Sequence, residues 1–561
     1  MLSKLRLLAD FFVVVLLFAS LQDARADALS GRVFNVVDSG AAPDGRTLDT
    51  DAIQKAVDAC SQAGGGTVRV PAGTYLTGTI NLRDNVTLSL DTGATLLGST
   101  QIQDYRPRDV IRGKGVKNIA IVGDGTIDGQ GYAFWSKKSS LSKHQQETIN
   151  FARIHYWSHN EPNSGDLVLL SDCANVRFSG VTLQNSQSWT LHLLACANVV
   201  VEGIRIRNRL NGPNTDGIDV DGSQDVQIAN CDICTGDDAV VLKNRSTAVH
   251  FPHACKNVTI TRCKLISPTN GFKIGTESYG DFENIVFEDS TIQAGDPKDP
   301  WAAGAAAETS PQFYGDALGP EAGIAIESVD GSHIRGVTVR NIVMHDVQSP
   351  IFIRLGSRGV NPVDKSAKAP TGTIDDVKIS DIVAERAWCP SIIAGVPGHP
   401  VRGIVISNVR VTNIGAGSTT YSPLGVPERE GAYPAPIMWS PLPAHSLYMR
   451  HAEGIKLSAY SVVNDRPDTR LAVIADDVSG MTLDGLTLDP LASSETAILF
   501  NNVRDSQIRG TVPRGVKTWV SVYGAGSGNI TLVPSDPKLA GQVYALGDGV
   551  PASAATVRTG P

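Results

Sequence analysis

The sequence predicts an all-β chain wound as a right-handed parallel β-helix, with one helix capping its N-terminal end. Two observations carry that expectation. A short phrase, Asn or Asp followed by apolar residues at alternate positions and then a turn residue, recurs along most of the chain. The 55 glycines and 30 prolines are spread throughout and not gathered into a linker, which implies many turns and so many short strands.

The phrase reads Asn85-Val86-Thr87-Leu88, Asn118-Ile119-Ala120-Ile121, Asn175-Val176-Arg177-Phe178 and Asn198-Val199-Val200-Val201. It returns at Asp225-Val226-Gln227-Ile228, Asn257-Val258-Thr259-Ile260 and Asn284-Ile285-Val286-Phe287, with looser copies at Arg335–Val339, Val401–Ile406 and Ser479–Leu483. From Asn175 through Asn198, Asp225 and Asn257 to Asn284 the steps are 23, 27, 32 and 27 residues. Apolar, often β-branched residues at period two between turn formers are strand chemistry. One strand per nearly fixed period is the mark of a solenoid, each coil stacking on the last. A β-sandwich does not repeat one phrase this way, and a leucine-rich repeat needs a consensus that is absent.

The remaining elements follow in order. Residues 1–26 read as a secretory signal peptide: Lys4 and Arg6, an apolar run from Phe11 to Leu21, then Ala24-Arg25-Ala26 as a small-x-small cleavage site. A retained membrane anchor is the competing reading of that segment. No other stretch approaches the roughly 20 apolar residues of a membrane span. Residues 27–110 are read as the N-terminal cap and first coils. Within them Thr50–Ala63 is an amphipathic helix with Ile53, Ala56, Val57 and Cys60 on one face, Asp49 or Thr50 as its cap and Gly64-Gly65-Gly66 as its stop. Residues 111–510 are the β-helix proper, interrupted by Gly/Ala/Pro-rich loops near 295–321 and 416–445, and 511–561 are a C-terminal extension. Loops of that size on a rigid repeat either shape a groove or are inert excursions.

The formal charge of −8 on 561 residues offers no basic nucleic-acid face. The expected location is secreted or periplasmic, with no membrane association once the signal is removed. Cys231 and Cys234 form a C-x-x-C, open to a zinc or redox reading, but the repeat explains the cysteines more simply. Cys173, Cys196 and Cys255 each stand next but one before a repeat Asn, and Cys231 and Cys263 each fall at the same place after one. They form columns, as a buried stack or as disulfides between coils. The Asn column needs no chemical role, because stacked amides can satisfy one another.

Candidate chemistry sits at Asn214-Thr215-Asp216-Gly217-Ile218-Asp219 and Gly236-Asp237-Asp238. Asp216 precedes the acid pair by about one coil, so these acids should stand on neighbouring rungs. Adjacent strand residues face opposite ways, so Asp237 and Asp238 share a cleft only through a bend, which Gly236 would ease. Crowded carboxylates repel, which raises at least one pKa and leaves a protonated acid beside an ionised base. Glycosidic hydrolysis needs that pair. A calcium site and solvent-facing acidic turns stand beside it as alternatives.

At this point the chain resembles the polygalacturonase family, family 28 of the glycoside hydrolases. Val70-Pro71-Ala72-Gly73-Thr74-Tyr75, Gly93 to Gly98, Asp124 to Gly129, Trp189-Thr190-Leu191-His192 and the two acidic motifs carry the resemblance. It implies an enzyme that hydrolyses pectic polysaccharide or oligosaccharide with inversion and without a metal or other cofactor. By the same resemblance Asp237 is the general acid, and Asp216 and Asp238 hold the attacking water. Inverting carboxylates ordinarily stand ~6.5–9.5 Å apart, whereas neighbouring rungs imply a tighter cluster; inversion is expected from the family.

Two departures bear on substrate. The family's Gly-His-Gly has Asn270 in place of the histidine, within Thr269 to Gly275, and its Arg-Ile-Lys becomes Ala325-Ile326-Glu327. A uronate needs cations, ideally a guanidinium, at the cleavage site. Lys273 and Arg354, the latter about one coil beyond Glu327, are the candidate replacements. His192, about one coil before Asp216, is open to a sugar contact or a structural role. The expected substrate contacts are His192, Asn214, Asn270, Lys273 and Arg354, and a rhamnogalacturonan is favoured over homogalacturonan. The competing functions are a pectate-lyase-type β-eliminating enzyme, which would need calcium and a basic residue, and a non-catalytic carbohydrate-binding β-helix.

Overall fold

The computed structural model describes residues 31–558 except 138–156, 161–164, 246–253, 297, 299, 302–318, 416, 418, 420, 440 and 489–494. The expected signal peptide and most of the expected 295–321 loop therefore lie outside the described residues. No helix among the described residues is long and apolar enough to cross a membrane.

Short strands stack coil upon coil as a parallel β-helix. Leu191–Leu194, Ala197–Glu202 and Arg205–Arg207 form one coil, and Ile218–Asp221, Gln224–Ala229 and Asp232–Cys234 lie beneath them in parallel register. The recurring phrase occupies one column: Val176 pairs with Val199, Val199 with Val226, Val226 with Val258, and Val258 with Ile285. Its inward apolar residues are buried in one continuous core. Burial of such rows, at roughly 25 cal/mol per Å² of apolar surface, is the main force holding successive coils together.

The Asn that opens each phrase turns the chain into the strand. Asn118, Asn175, Asn198, Asp225, Asn257 and Asn284 all have φ of 55–56°, the left-handed region that Asn and Asp enter more readily than other side chains. Their amides form the expected ladder: Asn118 Nδ2 donates to Asn85 Oδ1 at 2.8 Å, Asn175 to Asn118 at 2.9 Å, and Asn198 to Asn175 at 3.2 Å. Where the phrase is looser, Gly336, Asp376 and Gly403 take the same left-handed backbone conformation.

All eight cysteines are buried thiols, so the columns are stacks and not disulfides. The gap in the first column, Ser223, keeps the pattern polar but satisfied, accepting from the Cys196 backbone N–H at 2.8 Å.

The helix Thr50–Gln62 buries Ile53, Ala56, Val57 and Cys60 over the first coils, as a cap should. Its start differs from expectation. Asp49 is the N-cap residue, but its side chain does not cap the helix: Asp49 Oδ1 accepts from Ala42 N and Thr50 Oγ1 from Gly78 N, both at 2.8 Å. The stretch 511–561, expected to be an extension, carries further strands through Ala555–Val557 that stay in register with the coils before them.

One sheet positions the chemistry. In Leu191–Leu194, Ile218–Asp221, Val240–Asn244, Asn270–Ser278, Ala322–Ser328 and Ser349–Leu355, alternate residues point into the core, among them Leu193, Val220, Leu242, Ile274, Ile326 and Ile353. The others face outward in register: His192, Asp219, Val241, Lys273, Ala325, Phe352. This outer column is charged at its N-terminal end and apolar from Ala325 onward. The apolar part continues through Ile392, Tyr448, Ile474 and Leu499, covered by Val426, Trp439 and Leu442 from the 416–445 loop.

The exposed Asn198 tests the turn chemistry. Asn198→Val puts a β-branched residue in the left-handed region and is expected to cost about 1–2 kcal/mol. Asn198→Gly should cost markedly less, and unfolding midpoints of the two variants compare them directly.

Candidate active site

Asp216 stands just before the strand Ile218–Asp221, fixed by backbone bonds to the rungs on either side. Thr190 N donates to its carbonyl at 2.9 Å, and Gly217 N donates to Asp238 O at 2.8 Å. Asp237 and Asp238 lie in an irregular bend between Asp232–Cys234 and Val240–Asn244, so neighbouring acids do face one cleft. Gly236 is required there for a reason other than backbone freedom. A Cβ on it would lie 2.5 Å from Arg209 O and 2.6 Å from Gly212 O and Thr215 Oγ1.

Oxygens of Asp216, Asp237 and Asp238 come within 4.8 Å of one another, a spacing that could also hold a metal ion. Asp216 and Asp238 are buried, while Asp237 is partly exposed at the cleft surface. Asp237 Oδ1 accepts from Asp238 N at 2.9 Å, and the Thr269 hydroxyl lies between the two acids, 3.1 Å from Asp237 Oδ1 and 3.0 Å from Asp238 Oδ1.

Two buried lysines balance the buried acids. Lys273 Nζ is 3.1 Å from Asp238 Oδ2 and 3.9 Å from Glu327 Oε2. Lys243 Nζ donates to Asp216 Oδ2 at 2.9 Å and lies 2.8 Å from Asp219 Oδ1, a charge contact outside hydrogen-bond geometry. It also sits 3.6 Å from the Trp189 ring centroid. Burial would lower the pKa of each lysine, but the carboxylates around them outweigh it and hold both well above the ordinary range.

The acids go the other way. Burial raises Asp216 well above an ordinary carboxylate, against the pull of Lys243, and pushes Asp219 up to about 6. Glu327 is pushed up to about 7 and Glu321 to about 8, again chiefly by burial. Carboxylates of Asp216, Asp219, Asp237, Asp238, Glu277, Glu321 and Glu327 thus crowd around two ammonium groups. Such a cleft disfavours further negative charge.

The expected substrate contacts divide into three groups. Asn270 and Lys273 join the acids, with Asn270 Nδ2 donating to Asp238 Oδ1 at 2.6 Å. Asn214 is exposed in a left-handed turn just before Thr215 and Asp216. His192 is one rung from Asp219 and buried, its Nδ1 2.8 Å from Asp166 Oδ2 and its Nε2 3.6 Å from Asp221 Oδ2. Burial would lower its pKa, but these two carboxylates carry it to about 9, making it an imidazolium at neutral pH. The Arg245 Nη2 3.3 Å from Nε2 is then a like-charged neighbour, held there by Asp221, whose Oδ2 is 2.6 Å from Arg245 Nε. Arg354 stands apart. It is 1% exposed, donates to the carbonyls of Gly395, Glu428 and Arg429, and lies 4.8 Å from the Trp439 ring centroid. Its guanidinium anchors the 416–445 loop and does not reach the acidic cluster.

Sequence reasoning quoted Asp219 and Thr269 without giving them a role and missed Lys243, Glu277, Glu321 and Tyr433. For Lys243 the coil step gives no signal, because it sets Lys243 opposite Asp221 and the contact with Asp216 is a diagonal one. Tyr433 comes from the irregular loop; 60% exposed, its ring centroid lies 5.7 Å from Lys273 Nζ.

A family model described as glycosyl hydrolases family 28 matches residues 60–296. A probable polygalacturonase of Vitis vinifera is 29% identical over 406 residues, 67% of this chain and 74% of that protein. An exopolygalacturonase of Zea mays is 26% identical over 412 residues, 71% of this chain and 88% of that protein. The solved structure of a family 28 exopolygalacturonase from Yersinia enterocolitica shares the fold, with a TM-score of 0.59, 20% identity, and coverage of 81% of this chain and 79% of that one. By the family model and these relatives together, the chain is similar to the polygalacturonase-like glycoside hydrolases of family 28.

Proposed function

We propose that this enzyme is exported and hydrolyses a pectic polysaccharide by an inverting acid–base mechanism, with a neutral sugar in the cleavage subsite. The observation that carries the substrate reading is the charge inventory. At the positions of the family's Arg-Ile-Lys stand Ala325 and Glu327, and the nearby Lys273 is already engaged by Asp238 and Glu327. A uronate placed there would meet several carboxylates, and neither Ala325 nor Glu327 offers it a guanidinium. Like charges ~4 Å apart cost about 1 kcal/mol in water and more in a partly dry cleft. The relatives' names speak for polygalacturonate, and a galacturonate in a neighbouring subsite accommodates both facts. A rhamnogalacturonan therefore fits better than homogalacturonan.

In the proposed mechanism Asp237, the partly exposed acid, protonates the leaving oxygen. Asp216 and Asp238 hold the water that attacks the opposite face. Asp216 Oδ1 is buried and has no hydrogen-bond partner among the described residues, which leaves an acceptor for that water. Asp238 is kept in position by Asn270, Thr269 and Lys273. The carboxylates are closer than the ~6.5–9.5 Å usual for inversion. The separation that matters is between the acid and the far side of a water shared by two bases.

Four measurements test this reading. Hydrolysis of rhamnogalacturonan oligosaccharides should outpace that of homogalacturonan oligosaccharides of equal length; a clear preference for homogalacturonan overturns the neutral subsite. Asp237→Asn should lower kcat by ~10²–10⁴ while leaving the fold intact, and proton NMR of the first product should show the inverted anomer. Exhaustive chelation should leave the rate unchanged. A calcium requirement with an ultraviolet-absorbing product would instead assign a β-eliminating lyase.

A further inference from the structure

We propose that Lys243 is a positioning residue for the hydrolytic reaction, binding one carboxylate oxygen of Asp216 so that the other is turned to the attacking water. The inference rests on the assignment of Asp216 as a base. Lys243 leaves the Val240–Asn244 strand on its outer face, in register with Asp221 one coil away, and its side chain reaches back along the sheet to bond the Asp216 carboxylate. The Nζ binds Oδ2 at 2.9 Å and leaves Oδ1 as the buried oxygen without a partner. A carboxylate taken out of water without a counter-charge would simply protonate. The one cation bonded to Asp216 among the described residues is this ammonium.

Lys243 is itself held in place. The Trp189 ring centroid lies 3.6 Å from Nζ, and Asp219 fixes the other side of the charge at 2.8 Å. The remaining charged groups around the pair are Glu277 from the next strand, 3.9 Å from Nζ, Asp237 and Asp238 from the bend before Lys243's own strand, and His192 and Arg245 around Asp219 and Trp189. Asp219 therefore competes with Asp216 for one ammonium. That competition gives the inference a two-signed consequence. Removing the ammonium raises the pKa of Asp216, whereas neutralising Asp219 gives Asp216 the whole charge and lowers it.

The pH dependence of kcat for three purified variants decides the matter. Lys243→Met should move the acidic limb upward by about 1–3 pH units, with kcat on that side falling roughly tenfold per unit and KM little changed. Lys243→Arg should recover part of the loss. Asp219→Asn should move the same limb downward, which keeps the test open even if Lys243→Met fails to fold. A folded Lys243→Met with a wild-type pH profile overturns the inference, as does an Asp219→Asn limb that moves up. Asp216→Asn separates the two levels: if that variant keeps its activity, the base assignment itself fails, whatever Lys243 does.

Discussion

Every charged group in this cleft depends on the rung above or below it. Parallel, in-register pairing puts each outward side chain about one strand spacing, ~4.8 Å, from its counterpart one coil away. The rung on which a residue's polar neighbours lie is therefore set by the backbone ladder. His192 meets Asp219 and Lys273 meets Ala325 because hydrogen bonds between coils leave no other register, and Lys243, opposite Asp221, reaches back along the same rung to Asp216. A slip of one residue would turn the whole acidic column into the apolar core.

That constraint makes buried charge tolerable. Moving an isolated carboxylate out of water costs several kcal/mol, so buried acids must be paired or protonated. Both solutions occur side by side here. Asp221, between His192 and Arg245, is held below the ordinary carboxylate range despite its burial, whereas Glu321 and Glu327, further from full cations, are pushed toward protonation near neutral pH. A cleft that holds carboxyls in both states has the raw material for acid–base work, and it is the pairing pattern that sorts them.

How much of this is legible in the sequence follows from the same geometry. The repeat phrase announces itself because both of its constraints, an αL Asn and inward β-branched residues, recur in coil after coil. The three aspartates stand out because their separation is close to one coil. Lys243 falls one coil from Asp221 and not from Asp216, lysines are common on solvent faces, and nothing in one sequence says that this one is buried. Arg354 shows the converse failure. The coil step places it one rung beyond Glu327, and the structure agrees, with Glu327 and Arg354 in register. Coil arithmetic fixes the rung but not the cover. The 416–445 loop folds over that rung and takes the guanidinium for its own carbonyls. The stretch's Gly- and Pro-rich, aperiodic sequence carries no pattern from which its path could be read.

The loop's position also explains why the outer face changes character where it does. N-terminal to Ala325 the outer column bears His192, Asp219 and Lys273, residues that an open cleft can keep partly hydrated or paired. From Ala325 on it bears Phe352, Ile392 and Tyr448, which need a lid, and Trp439 and Leu442 supply one. Polar ties hold that lid at its edge: Glu428 lies against Arg450 and His451, and Arg450 Nη1 donates to Val426 O at 2.8 Å. Among the described residues the loop thus takes up the outer face from Ala325 on, and Ala325 and Glu327, at the positions of the family's Arg-Ile-Lys, stand at the edge of that cover.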